Sequence, residues 1–374
     1  MRIAVDMHFL QGKHQGIKTV LWGLYEALCN QSIQHDYLFV FLEPDEISEY
    51  WRSYGSVAFT GRMGRTARLA YGMAKAINAA GGSDLSHFTG VVPLGVSGRV
   101  LLTVHDMLFV THPEFFNRSF CVKQRLAAAW SIRRADIVAL GSRYTQSEVA
   151  RLYPRHTKKF RLLRNGVTEN NHVINIDEAK AIVKRNYGVE QYILTVGRID
   201  PRKNHQHMLE AYQILASTIS PELLPTFVIV GEIDNKYDMG VRLIEDMQSE
   251  LPVILLRNVD DHMLSYLYRA ALFVVMASYA EGFGLPVVEA MSAGVPVIAG
   301  DNTAFPEVLG DCGILIDSKN SQAIADAYER MISDSQFRAE CASCGLNRVQ
   351  EFSWKHAADQ YLSILDEIAH LNAM

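Results

Sequence analysis

Short apolar runs, each closed by a glycine or a polar turn and followed by an amphipathic segment, recur along both halves of this chain. In the first half Ile3–Asp6, Tyr37–Leu42, Val100–Val104 and Ile137–Leu140 read as strands, with helices over Thr19–Cys29 and Phe120–Arg134. The second half repeats the pattern through Ile193–Val196, Phe227–Val230, Val253–Leu256, Leu272–Val275 and Val295–Ile298. Strands that alternate with helical patterns imply parallel sheets covered by helices on both faces, an α/β architecture. A chain of 374 residues is long for one hydrophobic core, so two doubly wound, Rossmann-like domains are expected. The polar stretch Thr168–Glu178 has little to bury and reads as the boundary. The expected domains are therefore residues 1–170 and 180–354.

The segment Glu281 to Glu289, Glu-Gly-Phe-Gly-Leu-Pro-Val-Val-Glu, carries the chemistry. Pro286 can open a helix, because its missing N–H would have no intrahelical partner there. Gly282 and Gly284 allow a turn and a close backbone approach. The free N–H groups of Phe283, Gly284 and Leu285, with the positive end of the helix dipole, then form an anion site. Glu281 would stand on the loop above the anion. Glu289, about one turn into the helix, would accept hydrogen bonds from a diol such as ribose. Acids are favoured at any helix start, so the segment alone also suits an ordinary surface loop. Upstream, an apolar run ends at Gly197 and is followed by Arg198, Pro201, Arg202, Lys203 and Asn204. Ligands of open α/β sheets bind outside the carboxyl ends of strands, where Arg198 and Lys203 would neutralise phosphate. Acids and cations around one anion site suit a ligand bearing both hydroxyls and phosphate, such as a nucleotide-sugar.

With these residues on the page, the chain resembles the retaining GT-B glycosyltransferases of family 4, in particular bacterial polysaccharide mannosyltransferases. Matching segments run in the family's order: the glycine loop around Gly16, Val104-His105-Asp106, Ala139 to Ser142 with Arg164 to Val167, and Val196-Gly197-Arg198 with Pro201 to Asn204. The Glu281–Glu289 block, Phe305 to Val308 and Phe352-Ser353-Trp354 complete the series. The resemblance implies a donor-binding C-terminal domain, an acceptor-binding N-terminal domain, and a last helix, about 355–374, that returns to the first domain. It implies catalytic roles for Glu281, His105, Arg198 and Lys203. Gly16, Asp106, Phe283, Gly284, Leu285 and Glu289 would bind substrate, with His105 near the primary hydroxyl of the donor sugar. The family's pattern supplies no carboxylate nucleophile, so front-face displacement is expected. The chain contains no Asp-x-Asp triplet of the kind that holds Mg²⁺ or Mn²⁺. No metal and no cofactor beyond the nucleotide-sugar co-substrate is expected. GDP-mannose is the first expectation for the donor, with UDP- and dTDP-sugars open. A glycan or polyprenyl-diphosphate-linked acceptor is implied. A nucleotide-sugar 2-epimerase and a non-catalytic nucleotide-sugar-binding partner are the rival readings.

The net charge of −5 offers no reason to expect nucleic acid as a partner. The N-terminus reads as a first strand rather than a signal peptide, because Asp6 and His8 interrupt any apolar core. A cytoplasmic location is therefore expected, and with it five reduced cysteines. Cys341 and Cys344 have redox or metal spacing, but no second pair completes a zinc site. Arg62, Arg65 and Arg68 recur every three residues ahead of Lys75, beside apolar Met63, Leu69, Met73 and Ile77. Such a stripe either covers the sheet as a solvated helix face or touches the anionic inner face of the plasma membrane.

Overall fold

The computed structural model describes residues 1–12, 16–31, 35–167, 173–233 and 238–370. It divides into two compact units, Met1–Gly166 with the segment from Trp354 onward, and Val167–Ser353. The first is built on seven strands: β1 (Arg2–Asp6), β2 (Asp36–Phe41), β3 (Ser56–Phe59), β4 (Leu85–Thr89), β5 (Arg99–Val104), β6 (Ile137–Leu140) and β7 (Phe160–Leu162). They form one parallel sheet in the order β3-β2-β1-β4-β5-β6-β7. The second unit holds β8 (Tyr192–Val196), β9 (Thr226–Val230), β10 (Val253–Leu256), β11 (Phe273–Met276), β12 (Val297–Gly300) and β13 (Gly313–Ile316). Its parallel order is β10-β9-β8-β11-β12-β13.

Period-2 alternation sorts the strand residues onto two faces. In the first unit Ile3, Val5, Phe39 and Leu101 share one apolar cluster, while Ala4, Leu38, Val40 and Leu102 enter the other. In the second, Leu194, Val228 and Val274 face one way, and Ile193, Phe227 and Phe273 the other. Helices cover both faces, so near-continuous apolar strands are the stable choice.

Four strands lie outside those expected from the sequence: β3, β4, β7 and β13. β3 and β7 are sheet edges, short and only partly buried along most of their length. β4 is fully buried although it reads Leu-Ser-His-Phe-Thr. Its histidine is tolerated because both ring nitrogens find partners: His87 Nε2 meets Thr103 Oγ1 at 2.7 Å, and Nδ1 meets the Tyr25 hydroxyl. Tyr25 in turn meets Tyr361 hydroxyl to hydroxyl at 2.8 Å. Burial holds His87 uncharged, its pKa pushed down to about 3.

Tyr361 belongs to the last helix, Trp354–His370, which packs Ala357, Ala358, Tyr361, Ile364, Leu365 and Ile368 into the first unit's core. Arg161 beside the sheet edge pairs with Glu367 on the same helix. The indole of Trp354 rests where Gly23, within the helix Gly16–Gln31, and Gly166 leave room; a Cβ on either would overlap the ring. Among the described residues, no helix is long and apolar enough to cross a membrane.

Two expectations are corrected here. Cys312 and Cys344 form a disulfide, with Cα atoms 5.1 Å apart, so the chain does not carry five free thiols. Cys341 stays free because it turns into one core cluster while Cys344 packs against the other. The arginine stripe is also not continuous. Arg68 is buried, with its guanidinium 2.9 Å from the Asp6 carboxylate. Burial alone would raise the Asp6 pKa, but His8 and Arg68 outweigh it and hold the carboxyl at about 2. Arg62 precedes the helix and pairs with Glu43 at 2.6 Å, Arg65 bonds to Gln124, and Lys75 is exposed. The segment Arg68–Gly72 is a π turn, whose i→i+5 register breaks the spacing that would align every third residue.

Gly23→Ala gains about 1 kcal/mol of helix propensity, against about 1–3 kcal/mol for overpacking. The variant is expected to be less stable than the wild type in denaturant unfolding. An unchanged or higher midpoint contradicts the packing described for Trp354.

Candidate active site

After β8 the chain turns through residues 197–204. Pro201 opens a single 3-10 turn, Pro201–Lys203, and the Arg202 N–H donates to the Asp200 carboxylate at 2.9 Å. Asn204 closes the turn in left-handed backbone, φ 60°, which Asn tolerates better than most residues. Its buried amide donates to the carbonyls of Ala277, at 2.9 Å, and Ser318, at 2.6 Å. These bonds tie the basic turn to the chain leaving β11 and β13. The Tyr279 N–H donates to the Arg202 carbonyl at 2.9 Å, and the Arg202 guanidinium to the Ala280 carbonyl at 2.7 Å.

This stitching sets Glu281 among cations. Lys203 Nζ lies 2.6 Å from Glu281 Oε1, and Arg202 lies 2.9 Å from Oε2. Glu281 is only 9% exposed. Burial by itself raises a carboxyl pKa, but the Arg202 and Lys203 charges, with the hydrogen bond from Lys203, hold Glu281 at about 2. It is a carboxylate at neutral pH.

A third segment supports it. The Glu281 N–H donates to Thr303 Oγ1 at 3.0 Å, and Thr303 donates to Asn302 Oδ1 at 3.0 Å. Asn302 donates to the Ser278 carbonyl at 3.1 Å and to Ser318 Oγ at 3.0 Å. Thr303 has φ 51°, which a β-branched residue adopts at a cost of roughly 1–3 kcal/mol. Strain of that kind gathers at ligand clamps and active sites.

Gly284 caps the helix Leu285–Ser292 with φ 95°, and a Cβ there would strike Phe305. Phe283 is buried, and Pro286 occupies the helix's opening turn. Glu289, partly exposed on that helix, accepts a 2.7 Å hydrogen bond from the Tyr268 hydroxyl. Burial and the nearby Glu289 charge push the Tyr268 pKa well up, so its proton stays available to the carboxylate.

The structure thus joins Lys203 to Glu281, but the second cation on that acid is Arg202. Arg198 is exposed and makes no ion pair among the described residues. The three donors of Lys203 and the fork of Arg198 exceed the acceptors that the described residues offer them. Sequence pattern alone does not single out Arg202, Asn204, Asn302, Thr303 or Tyr268 as site residues. A polar residue in a turn shows its value only when its partner, distant in sequence, is known.

In the first unit, His105 and Asp106 follow β5. Asp106 Oδ1 accepts from the Leu108 N–H at 3.1 Å, and the His105 carbonyl accepts from Thr145 Oγ1 at 3.3 Å. His105 Nε2 is buried without a hydrogen-bond partner among the described residues, in a cavity shared with His87, Thr89, Thr103 and Asn165. Burial lowers its pKa to about 4, which leaves a neutral ring at pH 7. Gly16 is exposed at the start of its helix; Lys13, His14 and Gln15, the rest of the glycine loop, lie outside the described residues.

Two parallel α/β units, one carrying a buried acid paired with two cations at its strand ends, define a two-domain α/β architecture. Residues 177–348 match the family described as Glycosyl transferases group 1. The O-antigen chain mannosyltransferase B of Escherichia coli is 30% identical over 270 residues, covering 71% of this chain and 69% of that protein. The serotype-specific mannosyltransferase WbdA of Escherichia coli is 26% identical over 288 residues, 74% of this chain but only 34% of its own length. The solved sucrose-phosphate synthase of Thermosynechococcus elongatus shares the fold, with TM-score 0.79 over 99% of this chain and 100% of that one, at 20% identity. The chain belongs to the group 1 glycosyl transferases: it is a GT-B-fold glycosyltransferase of the family 4 type.

The Glu281 pKa is depressed, so its stabilisation is complete above its ordinary value of 4.5 and is lost as pH falls towards about 2. That contribution is on the order of 3 kcal/mol. In Glu281→Gln the acid limb of unfolding free energy against pH is expected to flatten across this window. An identical limb in both proteins contradicts the pairing.

Proposed function

We propose that this glycosyltransferase is a retaining, metal-independent enzyme that moves mannose from GDP-mannose onto a glycan or polyprenyl-diphosphate-linked oligosaccharide in bacterial polysaccharide synthesis. O-antigen, capsule and exopolysaccharide are the product classes in view. The observation that carries the reading is the convergence of Lys203, Arg202 and Glu281 at the strand ends of the second unit, on the loop leading into Leu285–Ser292. Similarity to two mannosyltransferases favours mannose.

In this reading Arg198 and Lys203 receive the donor diphosphate together with the N–H groups of Phe283, Gly284 and Leu285, and stabilise its charge as the sugar leaves. Glu289 accepts the ribose hydroxyls, held in place by Tyr268. Glu281, kept ionised by its cations, accepts hydrogen bonds from the sugar and favours positive charge at the anomeric carbon. Neutral His105 exchanges a hydrogen bond with a sugar hydroxyl, and Asp106 and Gly16 add substrate contacts. The departing phosphate oxygen takes the acceptor proton as the new bond forms on the same face, so no protein nucleophile is required. Metal independence rests on the missing Asp-x-Asp triplet.

A thermal-shift screen against GDP-, UDP-, dTDP- and ADP-sugars tests the donor, since a ligand of the native state raises apparent stability. GDP-mannose is expected to give the largest shift; a larger shift with a UDP- or dTDP-sugar overturns the mannose assignment. Conversion of donor without acceptor into its 2-epimer would identify an epimerase. Arg198 makes no ion pair among the described residues, so Arg198→Ala is expected to keep its melting temperature while kcat/KM falls by roughly 10²–10³. Unchanged turnover removes Arg198 from the diphosphate site.

A further inference from the structure

We infer that the disulfide between Cys312 and Cys344 is a redox-sensitive tether that fixes the backbone support of Glu281, and that a dithiol reductant releases it. The two cysteines are 32 residues apart in sequence, Cys312 just ahead of β13 and Cys344 within the helix Ser335–Arg348. One turn later the same helix makes a second contact with the same segment. Arg348 Nε donates to the Val308 carbonyl at 2.6 Å, and a terminal guanidinium nitrogen donates to the Glu307 carbonyl at 2.5 Å. Residues four apart share one helix face, so Cys344 and Arg348 hold that segment from one side. Gly310, with φ 57°, leaves room for the guanidinium, which a Cβ would meet at 3.0 Å.

The segment so held is the five-residue helix Phe305–Leu309. A helix this short is unstable by itself and depends on its anchors. These are the buried side chains of Phe305, Val308 and Leu309 on one side, and Arg348 with the disulfide on the other. Its first turn runs directly into the support of the acid. The Phe305 N–H donates to the Asn302 carbonyl at 3.2 Å, and the Val308 N–H donates to the Ala304 carbonyl at 3.1 Å. Thr303, between those two carbonyls, accepts the Glu281 N–H while its own backbone is left-handed. Such a conformation persists only where the surroundings over-determine it. Phe305 also sits where a Cβ on Gly284 would strike it, so one short helix backs both the Glu281 loop and the start of Leu285–Ser292. The cytoplasmic location expected from the sequence is reducing, and disulfides formed in such a compartment are mostly transient and redox-sensing.

Cys312 is 5% exposed and Cys344 is half-buried, so an incoming thiolate reaches the Cys344 sulfur. It bonds there as the S–S bond breaks, and Cys312 leaves as a thiolate and takes a proton. The reductant's second thiol, deprotonated, then displaces Cys344, which takes the other proton. Two electrons pass to the cysteine pair, and the dithiol becomes a disulfide. Burial raises the pKa of the neighbouring Cys341 thiol, which keeps it protonated and out of the exchange.

Full-length protein is compared as purified, after dithiothreitol, and after reoxidation with glutathione disulfide. Titration of the unfolded chain is expected to give three thiols before reduction, those of Cys29, Cys121 and Cys341, and five after it. Reduction is expected to speed amide hydrogen exchange at Glu281, Phe305 and Val308 roughly tenfold, with β9 unchanged. Turnover is expected to fall by about the same factor, and reoxidation restores both. Cys312→Ser combined with Cys344→Ser is expected to stay in the relaxed form and to ignore dithiothreitol. Only the turnover arm rests on the transferase reading. Exchange at Glu281 needs no donor, so a failure of that reading and a failure of the tether are separate results. The inference is overturned by five thiols before reduction, or by Glu281 exchange that reduction leaves unchanged. A rise spread evenly over the unit, or equal turnover in the two forms of an active enzyme, reduces the disulfide to a structural staple and overturns it as well.

Discussion

The buried carboxylate of Glu281, gripped by Lys203 and Arg202, is the contact on which the organisation of the second unit's strand ends depends. Burial of an isolated carboxylate is strongly unfavourable, so the acid, the two cations and their supporting amides form one arrangement or none. Asn204 carries the basic turn to the ends of β11 and β13. Thr303 holds the backbone of the acid. The cations that would meet a diphosphate and the acid that would meet a sugar are thereby placed before any ligand arrives. Preorganisation of this kind leaves little rearrangement for the reaction to drive.

The first unit solves a different problem. Its polar interior line runs from Thr103 through His87 and Tyr25 to Tyr361, each group satisfied by the next. Buried polar groups without partners cost about 1–3 kcal/mol each, so this line specifies where the last helix sits more narrowly than apolar packing would. Trp354, seated over Gly23 and Gly166, marks where the chain re-enters this unit. His105 stands beside the same line, its Nε2 without a hydrogen-bond partner among the described residues.

Family membership and site geometry bear on different questions. Similarity to the two Escherichia coli mannosyltransferases covers most of this chain, while the shorter span on WbdA leaves most of that protein without a counterpart here. Membership rests on similarity along the chain, whereas the acid–cation grouping is a property of this chain's own ion pairs.

Apolar periodicity was legible without coordinates wherever a strand lay central in its sheet, as at Ile137–Leu140 and Phe227–Val230, because burial on both faces demands an unbroken apolar run. Edge strands β3 and β7 escaped that rule, and β4 escaped it through hydrogen bonds that no local pattern announces. Lys203 and Glu281 were legible as residue types with a shared task. That Arg202 rather than Arg198 would close on Glu281, that Arg68 would turn inward to Asp6, and that Cys344 would leave Cys341 for Cys312 were decided only by the tertiary structure. Sequence pattern determines which surfaces must be buried. The partner of each polar group depends on residues tens to hundreds of positions away, which only the folded chain brings within hydrogen-bonding distance.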